Sequence, residues 1–327
     1  MKLMNALLQK AAPLAAATAG LVAMAAQQPA LAYTWGNVAI GGGGFVSAII
    51  PSKTESGVVY ARTDVGGAYR WDNANGRWVP LLDWVAEDQV GFLGVEALAV
   101  DPKNAANVTM LVGINYFNNG KSAILRSTDY GRTFTTTDVT SQFKAHGNGM
   151  GRQNGERLVI DPGSSNVLYV GTRENGLFKS TNYGASWSRM TALNVTTTPN
   201  ANGISLVLAD PSSVSGGVAQ RLFVGVSRYG SAGANFYRSD NGGASFSAVS
   251  GSPSGLMPQR AAFDGAGNVY ITYANGAGPH GNSSGTEPMN SGQIWRYTIS
   301  NGAWTNVTPS GVNAAFSGIS EIGRAHV

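Results

Sequence analysis

Short runs of apolar and β-branched residues alternate along the chain with turns rich in Gly, Asp, Asn and Ser. The pattern repeats: residues 58–78 (VVYARTDVGGAYRWDNANGRW) align without a gap to residues 167–187 (VLYVGTRENGLFKSTNYGASW). Such runs, bounded by turn residues, predict β-strands. Each unit contains four of them, here called strands A to D: A ends near an Asp-Pro pair, and D begins at an aromatic residue. We therefore predict an all-β protein.

One turn motif recurs between strands C and D. It has Ser, Asp or Asn two residues on, Gly four on, a small hydroxyl residue six on and an aromatic residue seven on. The copies are residues 127–134 (STDYGRTF), 180–187 (STNYGASW) and 239–246 (SDNGGASF). Asp or Asn can bond turn amides and Gly can adopt positive φ, so we interpret this Asp-box as structural.

The spacing of the units predicts a β-propeller. The aromatic residues that end strand C to D turns lie about 53 to 59 residues apart, at Trp78, Phe134, Trp187, Phe246 and Trp304. Four-stranded units at this period are typical of propeller blades. The chain contains about five blades, and residues 314–320 (AAFSGIS) resemble the start of a sixth. In this register Asp64 aligns with Arg173, in the turn between strands B and C.

Antiparallel strands place the connections on two rims. The A to B and C to D turns, mostly short, form one rim, called the box rim. The B to C and D to A connections, long and varied, form the other, called the loop rim. Long loops on a rigid scaffold carry function, so we predict that the loop rim holds the site. Its notable members are Asp64, Trp84, Tyr116, Phe117, Arg152, Arg228 and Tyr229.

Exposed aromatic residues and carboxylates on a nearly neutral surface suit a neutral polysaccharide. Glycoside cleavage needs two carboxyl groups. The candidates are Asp64, Asp83, Glu87, Asp88, Glu96, Glu156, Glu174 and Glu287. Glu96 and Glu156 occur at equivalent places before strand A, which favours a structural role in the repeat. Asp101, Asp161 and Asp210 are turn residues by position. The residues alone do not separate Asp64 from Glu87 or Asp88.

Composition excludes several other functions. Without the predicted end segments described below, 19 basic and 17 acidic residues remain of 22 and 18, a formal balance of +2. With no Lys/Arg cluster interleaved with aromatic residues, nucleic acid is a poor partner. The chain has no Cys and three His, too few for most metal sites or catalytic triads, so we expect no metal and no cofactor. His146 and His280 are predicted at the surface. Residues 41–44 (GGGG) and 147–151 (GNGMG) lack the following helix of a phosphate loop.

Both ends have a composition unlike the repeats. Residues 1–32 combine Lys2 and Lys10 with an Ala-rich apolar stretch and the small-x-small pattern of residues 30–32, which predicts a secretory signal peptide. A membrane anchor is the alternative. Residues 321–327 (EIGRAHV) equal a translated sequencing adapter and are predicted not to be natural sequence. The expected domain is an incomplete propeller over residues 33–320.

The first unit also carries a resemblance to a known family. Residues 35–71, WVPLLDW (78–84), ILRSTDYGRTF (124–134) and GERLVIDP (155–162) together resemble the N-terminal part of the glycoside hydrolase family 74 xyloglucanases. The resemblance implies two seven-bladed propellers, a cleft between them, and cleavage of the β-1,4-glucan backbone of xyloglucan with inversion. It implies that Asp64 is the general base, and it suggests glucan-binding residues at Tyr116, Phe117, Trp84 and Arg152.

This resemblance implies a secreted, monomeric enzyme that acts on a plant cell-wall polysaccharide, with no membrane contact once the signal peptide is removed. The family's general acid lies in the second propeller, and this chain has no such segment. We therefore expect the chain alone to be unstable and inactive, because five blades and the start of a sixth leave the disc open. A noncatalytic Asp-box propeller that binds a glycan or a protein is the main alternative. A sialidase is disfavoured because no Arg cluster is evident.

Overall fold

The computed structural model describes residues 41–228, 231–278 and 291–309, all within one compact unit of residues 39–327. Several predictions concern parts outside the described residues: the signal peptide, the adapter segment, the sixth blade, Tyr229, His280 and Glu287. In the described ranges no helix is long and apolar enough to cross a membrane.

Five antiparallel four-stranded sheets follow one another along the chain, which confirms the predicted blades. Blade 1 contains β1 Val46–Pro51, β2 Val59–Thr63, β3 Ala68–Asp72 and β4 Arg77–Pro80. Blade 2 contains β5 Val95–Val100, β6 Val108–Gly113, β7 Ser122–Ser127 and β8 Thr135–Asp138. Blade 3 contains β9 Leu158–Ile160, β10 Leu168–Gly171, β11 Leu177–Ser180 and β12 Ser188–Arg189.

Blades 4 and 5 continue this order. Blade 4 contains β13 Ile204–Ala209, β16 Leu222–Val226, β17 Phe236–Ser239 and β18 Ser247–Ala248, with a small hairpin of β14 Val214–Ser215 and β15 Val218–Ala219. Blade 5 contains β19 Met257–Phe263, β20 Asn268–Ala274, β21 Gln293–Thr298 and β22 Trp304–Asn306. Short 3-10 helices lie at Glu87–Leu93, Asn118–Gly120 and Pro211–Ser213.

Burial falls from the inner to the outer strands of a blade. Every residue of β6 and β16 is buried, whereas β8 and β12 are mostly exposed. This gradient follows from the stacking of sheets face to face around a centre, which covers the inner strands on both faces. Strands covered on both faces have continuous apolar runs, and this explains VTMLVG and LFVGV in the sequence.

The hydrophobic core consists of four clusters, each between two neighbouring blades. The cluster between blades 2 and 3 contains Leu111, Ile124, Leu158 and Val170, and Trp187 of the Asp-box belongs to it with 7% of its surface exposed. Similar box aromatics, Phe134, Phe246 and Trp304, pack against the other clusters. These rings therefore help to fill the space between neighbouring blades.

The Asp-box turn is held by its own side chains. Asp129 accepts hydrogen bonds from the Thr133 N–H (2.9 Å) and the Thr133 hydroxyl (2.6 Å), and Ser127 accepts one from the Gly131 N–H (2.8 Å). Gly131 adopts φ +82°, which glycine tolerates best. These bonds lower the pKa of Asp129 to about 2, the Thr133 hydroxyl having the largest effect. The motif is therefore structural, as predicted.

The two rims are as expected from strand direction. At the box rim, the Tyr130 N–H donates to the Ala106 carbonyl (2.9 Å), joining the C to D and A to B turns of one blade. At the loop rim, the Gly113 N–H donates to the Gly94 carbonyl (2.9 Å), and the Gly147 N–H donates to the Gly113 carbonyl (2.8 Å). These bonds join the B to C connection of blade 2 to the crossings on either side.

Residues 151–156, here called the axial segment, fill the centre of the ring. The carbonyls of Arg152 and Asn154 accept hydrogen bonds from Arg62 of blade 1, both at 2.8 Å. A parallel bridge joins Gly155 to Arg260 of blade 5, and Glu156 accepts from the Leu98 N–H of blade 2. Contacts to blade 4 complete the set: the Val207 N–H donates to the Glu156 carbonyl (2.9 Å). One short segment thus links distant blades.

Candidate active site

The position of Asp64 is set by a tight turn after β2. The Thr63 hydroxyl donates to the Gly67 carbonyl (2.8 Å) and accepts from the Gly66 N–H (2.8 Å). A Cβ atom on Gly66 would lie 1.8 Å from the Gly43 carbonyl oxygen, and Gly67 adopts φ +83°. These constraints explain the sequence T-D-V-G-G, in which both glycines are needed.

Blade 3 repeats the same turn. The Thr172 hydroxyl donates to the Gly176 carbonyl (2.7 Å) and accepts from the Asn175 N–H (3.0 Å), so Thr172 matches Thr63. Arg173 then stands where Asp64 stands in blade 1. The gapless alignment is confirmed, and Asp64 belongs to the loop rim and not to an Asp-box.

Both oxygens of the Asp64 carboxylate are held. Oδ1 accepts a hydrogen bond from the Phe45 N–H (2.7 Å), and Oδ2 lies 2.9 Å from Nε of Arg152. Only 5% of the residue is exposed. The surroundings are polar: a Cβ atom on Gly44 would lie 2.9 Å from Oδ1, so only glycine leaves space for the carboxylate there. The glycine run at residues 41–44 therefore brings the backbone close to Asp64.

Arg152, predicted to bind substrate, is 7% exposed and pairs with Asp64. Its guanidinium lies 5.2 Å from the centre of the Phe45 ring, a cation–π distance. Burial lowers the pKa of Arg152, and Asp64 opposes this effect. Among the described residues, Nη1 of Arg152 has no hydrogen-bond partner and is buried. Nε is likewise buried without a hydrogen bond, although it lies 2.9 Å from the Asp64 carboxylate, so the structure brings Arg152 to Asp64 as an ion pair.

Tyr116 and Phe117 form an exposed aromatic pair on the same rim. Their ring centres are 4.9 Å apart, and 59% of Tyr116 and 39% of Phe117 are exposed. The Tyr116 hydroxyl accepts a hydrogen bond from the Asn148 side chain (2.7 Å). Two of the predicted glucan-binding residues thus lie together beside the Arg152–Asp64 pair.

His146 corrects a prediction, since it is half-buried and not a surface residue. Its ring lies edge-to-face with Tyr116 at 5.5 Å between ring centres, and its backbone N–H donates to the Glu96 carboxylate (2.8 Å). Burial lowers the pKa of His146 to about 4, with Arg173 adding to the effect. The imidazole is therefore neutral near pH 7. No local sequence pattern indicates this burial, because the contacts come from distant parts of the chain.

Trp84 lies apart from these residues, contrary to its predicted grouping. Its ring packs against Phe134 at 6.2 Å, and its indole N–H donates to the Leu81 carbonyl (3.1 Å). It lines a groove with Arg70, Asp83 and Arg132 between the outer strands of blades 1 and 2. The loop after β4 folds back over the blade junction, which strand order alone does not reveal.

Glu96 is buried and Glu156 is partly buried, and both are paired with arginines, as their structural interpretation requires. Glu96 lies 2.8 Å from Arg157 and 2.9 Å from Arg173. Burial acts to raise the pKa of Glu96, but Arg173 and Arg157 outweigh it and the pKa falls to about 2. Glu156 is similarly placed between Arg62 (3.0 Å) and Arg260 (2.8 Å).

The remaining carboxylates divide into turn residues and exposed groups. Asp101, Asp161 and Asp210 bond backbone amides of their own turns, as predicted. Asp83, Glu87, Asp88 and Glu174 are exposed. Within the described ranges no cluster of three metal-binding side chains occurs. Asp64 therefore differs from the other loop-rim candidates by its fixed position next to an exposed aromatic pair.

The fold and this site define an Asp-box β-propeller that holds a carboxylate in a fixed position on the loop rim. Comparison with known proteins extends this. The chain is 44% identical over 311 residues to a xyloglucanase of a Paenibacillus species, covering 89% of this chain and 29% of that protein. It is 40% identical over 294 residues to a xyloglucanase of Acetivibrio thermocellus, covering 85% of this chain and 33% of that protein.

A comparison with solved structures points to the same group of enzymes. The crystal structure of a glycoside hydrolase family 74 enzyme from Niastella koreensis matches with a TM-score of 0.77 and 53% identity, over 86% of this chain and 39% of that one. No family model matches the sequence. The resemblance to glycoside hydrolase family 74 is confirmed over most of this chain. The chain spans about a third of the length of the curated relatives it matches.

Proposed function

We propose that this chain supplies the general-base half of the active site of an inverting glycoside hydrolase that cleaves the β-1,4-glucan backbone of xyloglucan. The observation that carries the proposal is the Asp64 carboxylate, fixed at both oxygens at the loop rim. The similarity to proteins named xyloglucanases supports the substrate class. A neutral polysaccharide also suits the near-neutral charge of the repeats.

In this proposal Asp64 accepts a proton from the attacking water. The Phe45 N–H and Arg152 hold the plane of the carboxylate, and the remaining lone pairs accept the hydrogen bond of that water. Inversion requires a second carboxyl group about 6.5–9.5 Å away, with water between the two. That general acid is proposed to come from a part of the protein beyond this chain, so we expect the chain alone to hydrolyse nothing.

Tyr116 and Phe117 are proposed to bind the glucan. Their exposed rings offer flat apolar faces on which pyranose rings stack, while the hydroxyl of Tyr116 is held by Asn148. Arg152 is proposed to position Asp64, because its Nε lies 2.9 Å from the carboxylate and only 7% of the residue is exposed. Backbone sugars would then pass along the rim toward Asp64.

The test is full-length protein carrying Asp64→Asn, assayed by release of reducing ends from xyloglucan. Loss of a general base lowers the rate of hydrolysis about 10²–10⁴-fold. The variant should still bind to the xyloglucan polymer. Asp88→Asn is the matched control, because Asp88 is an exposed carboxylate that the sequence did not separate from Asp64. Full activity of Asp64→Asn would show that Asp64 is not the general base, and would leave this propeller with a glycan- or protein-binding role.

We further propose that residues 1–32 are removed on export, that residues 33–320 form an incomplete propeller domain, and that the whole enzyme is a secreted monomer. The Ala-rich stretch and cleavage pattern support export. Sequencing the N-terminus of the protein recovered from culture medium tests it. A mature protein that begins near Tyr33 is the expected result, and retention in the membrane fraction would favour the anchor.

A further inference from the structure

A groove of about 290 Å³ lies between the outer strands of blades 1 and 2, here called the flank groove. Its lining includes Arg70, Pro80, Asp83, Trp84, Gly131 and Arg132. It shares no residue with the group around Asp64. Since the proposed hydrolysis uses none of these side chains, the groove needs an explanation of its own.

Trp84 gives the groove a fixed aromatic face. The residue is 45% exposed, yet its indole N–H is bound to the Leu81 carbonyl and its ring is supported by Phe134, tilted by 34°. An exposed Trp is usually costly to hold in one orientation, because its side chain loses rotational freedom. Here the orientation is already set before any ligand arrives, which favours binding.

Polar groups surround this ring. Arg70 and Arg132 lie on the Tyr130 ring at 6.0 and 5.9 Å, and the Tyr130 hydroxyl is anchored by Glu55 (2.9 Å). Nε of Arg70 is buried and has no hydrogen-bond partner among the described residues. Asp83 adds an exposed acceptor. The groove therefore offers donors with fixed positions, one acceptor and one flat apolar surface.

A sugar ring matches this combination. Its apolar face stacks on an aromatic ring, and its hydroxyls both accept from guanidinium groups and donate to a carboxylate. We propose that the flank groove is a saccharide-binding subsite for a neutral oligosaccharide, separate from Asp64. Binding there requires neither Asp64 nor a second carboxyl group, so it extends beyond the proposed hydrolysis and does not depend on it.

The experiment uses full-length protein labelled with 5-fluorotryptophan and carrying Asp64→Asn, so that xyloglucan oligosaccharide added as the probe is not consumed. The Trp84 signal is assigned by its absence from Trp84→Phe. We expect this signal to shift saturably, and Arg132→Ala to weaken the response roughly tenfold. Tyr183→Ala is the matched control, since Tyr183 is an exposed aromatic residue (57%) in an Asp-box of blade 3.

Tyr116→Ala separates the two proposals. It should weaken binding at the loop rim and leave the Trp84 signal responsive, because the flank groove contains no part of the Tyr116–Phe117 pair. A Trp84 signal that stays fixed at probe concentrations that saturate the protein overturns the subsite. Hydrolysis of the probe by Asp64→Asn would overturn the proposed function only, because the shift of the Trp84 signal, read before the probe is consumed, reports binding at the flank groove and not cleavage.

Discussion

Arg173 occupies in blade 3 the place that Asp64 occupies in blade 1, and both side chains enter ion pairs with other parts of the ring. Arg173 pairs with Glu96 at 2.9 Å, and Asp64 pairs with Arg152 at 2.9 Å. The same turn thus presents opposite charges in two blades. In blade 3 the charge joins neighbouring blades, whereas in blade 1 it lies beside the exposed aromatic pair.

The Asp64–Arg152 pair can be tested with Arg152→Gln. This change leaves Asp64 buried without its cation, and breaking a buried pair in this way costs about 3–5 kcal/mol. We expect a lower free energy of unfolding in urea denaturation. The double variant Asp64→Asn/Arg152→Gln should recover part of the loss, and strictly additive losses would contradict coupling between the two side chains.

Stability should fall in acid because of Glu96. Its pKa is 4.5 without the protein environment and about 2 in the folded chain, so its contribution is present above pH 4.5 and is lost as the pH falls toward 2. A shift of this size corresponds to about 3 kcal/mol. The free energy of unfolding measured between pH 5 and pH 2 checks this. Glu96→Gln should flatten the curve, and Glu174→Gln, at an exposed site, should not.

His146 should add a second pH dependence with a different window. Its pKa falls to about 4 on folding, so the unfolded chain binds a proton near pH 6.5 and the folded chain does not. Stability therefore decreases as the pH drops from about 6.5 to 4 and changes no further on this account below 4. His146→Gln should remove this decrease. An unchanged curve for His146→Gln would show that the imidazole is not buried in solution.

The turn that carries Asp64 should tolerate no side chain at Gly66. In Gly66→Ala the new Cβ atom would lie 1.8 Å from the Gly43 carbonyl oxygen, so the backbone around Asp64 must move. We expect at least a tenfold loss of xyloglucan hydrolysis by the full-length protein, since misplacing a catalytic group by about 1 Å can cost 10²-fold. Gly43→Ala is the control, because nothing lies within 4 Å of its Cβ position.

Variants of Asp129 should show whether the stability of the Asp-box depends on the charge of this residue or on its hydrogen bonds. Asn182 and Asn241 occupy the place of Asp129 in the other boxes and make equivalent bonds to Ser186 and Ser245. Asp129→Asn should therefore be nearly neutral, whereas Asp129→Ala should cost about 1–2 kcal/mol. Thermal unfolding of both variants measures the difference. A large loss for Asp129→Asn would show that the charge itself is required.

The blades could be predicted because their signals are local. Strand runs, Asp-box turns and the register that puts Asp64 opposite Arg173 all lie within single repeats, and the Thr63 and Thr172 turns confirm them. The axial contacts could not be predicted. Arg62 meets Glu156 across 94 residues of sequence, and no local pattern records such a pairing.

Trp84 and His146 show the same limit. Strand order placed both residues on the loop rim, but the path of a crossing after its strand ends depends on what it packs against. Trp84 turns onto Phe134, and His146 turns toward Glu96 and Tyr116. The glycines at 41–44 have a role that no local pattern indicates. Gly44 lies against the Asp64 carboxylate, where a Cβ atom would not fit.

The axial segment connects blades that are far apart in the sequence. Arg62 of blade 1 and Arg260 of blade 5 donate hydrogen bonds to its backbone carbonyls. The side chain of Gln153 also donates to Gln259 of blade 5. Blades 1 and 5 are therefore coupled through one short stretch of backbone, and a change at either blade is transmitted to the residues next to Arg152.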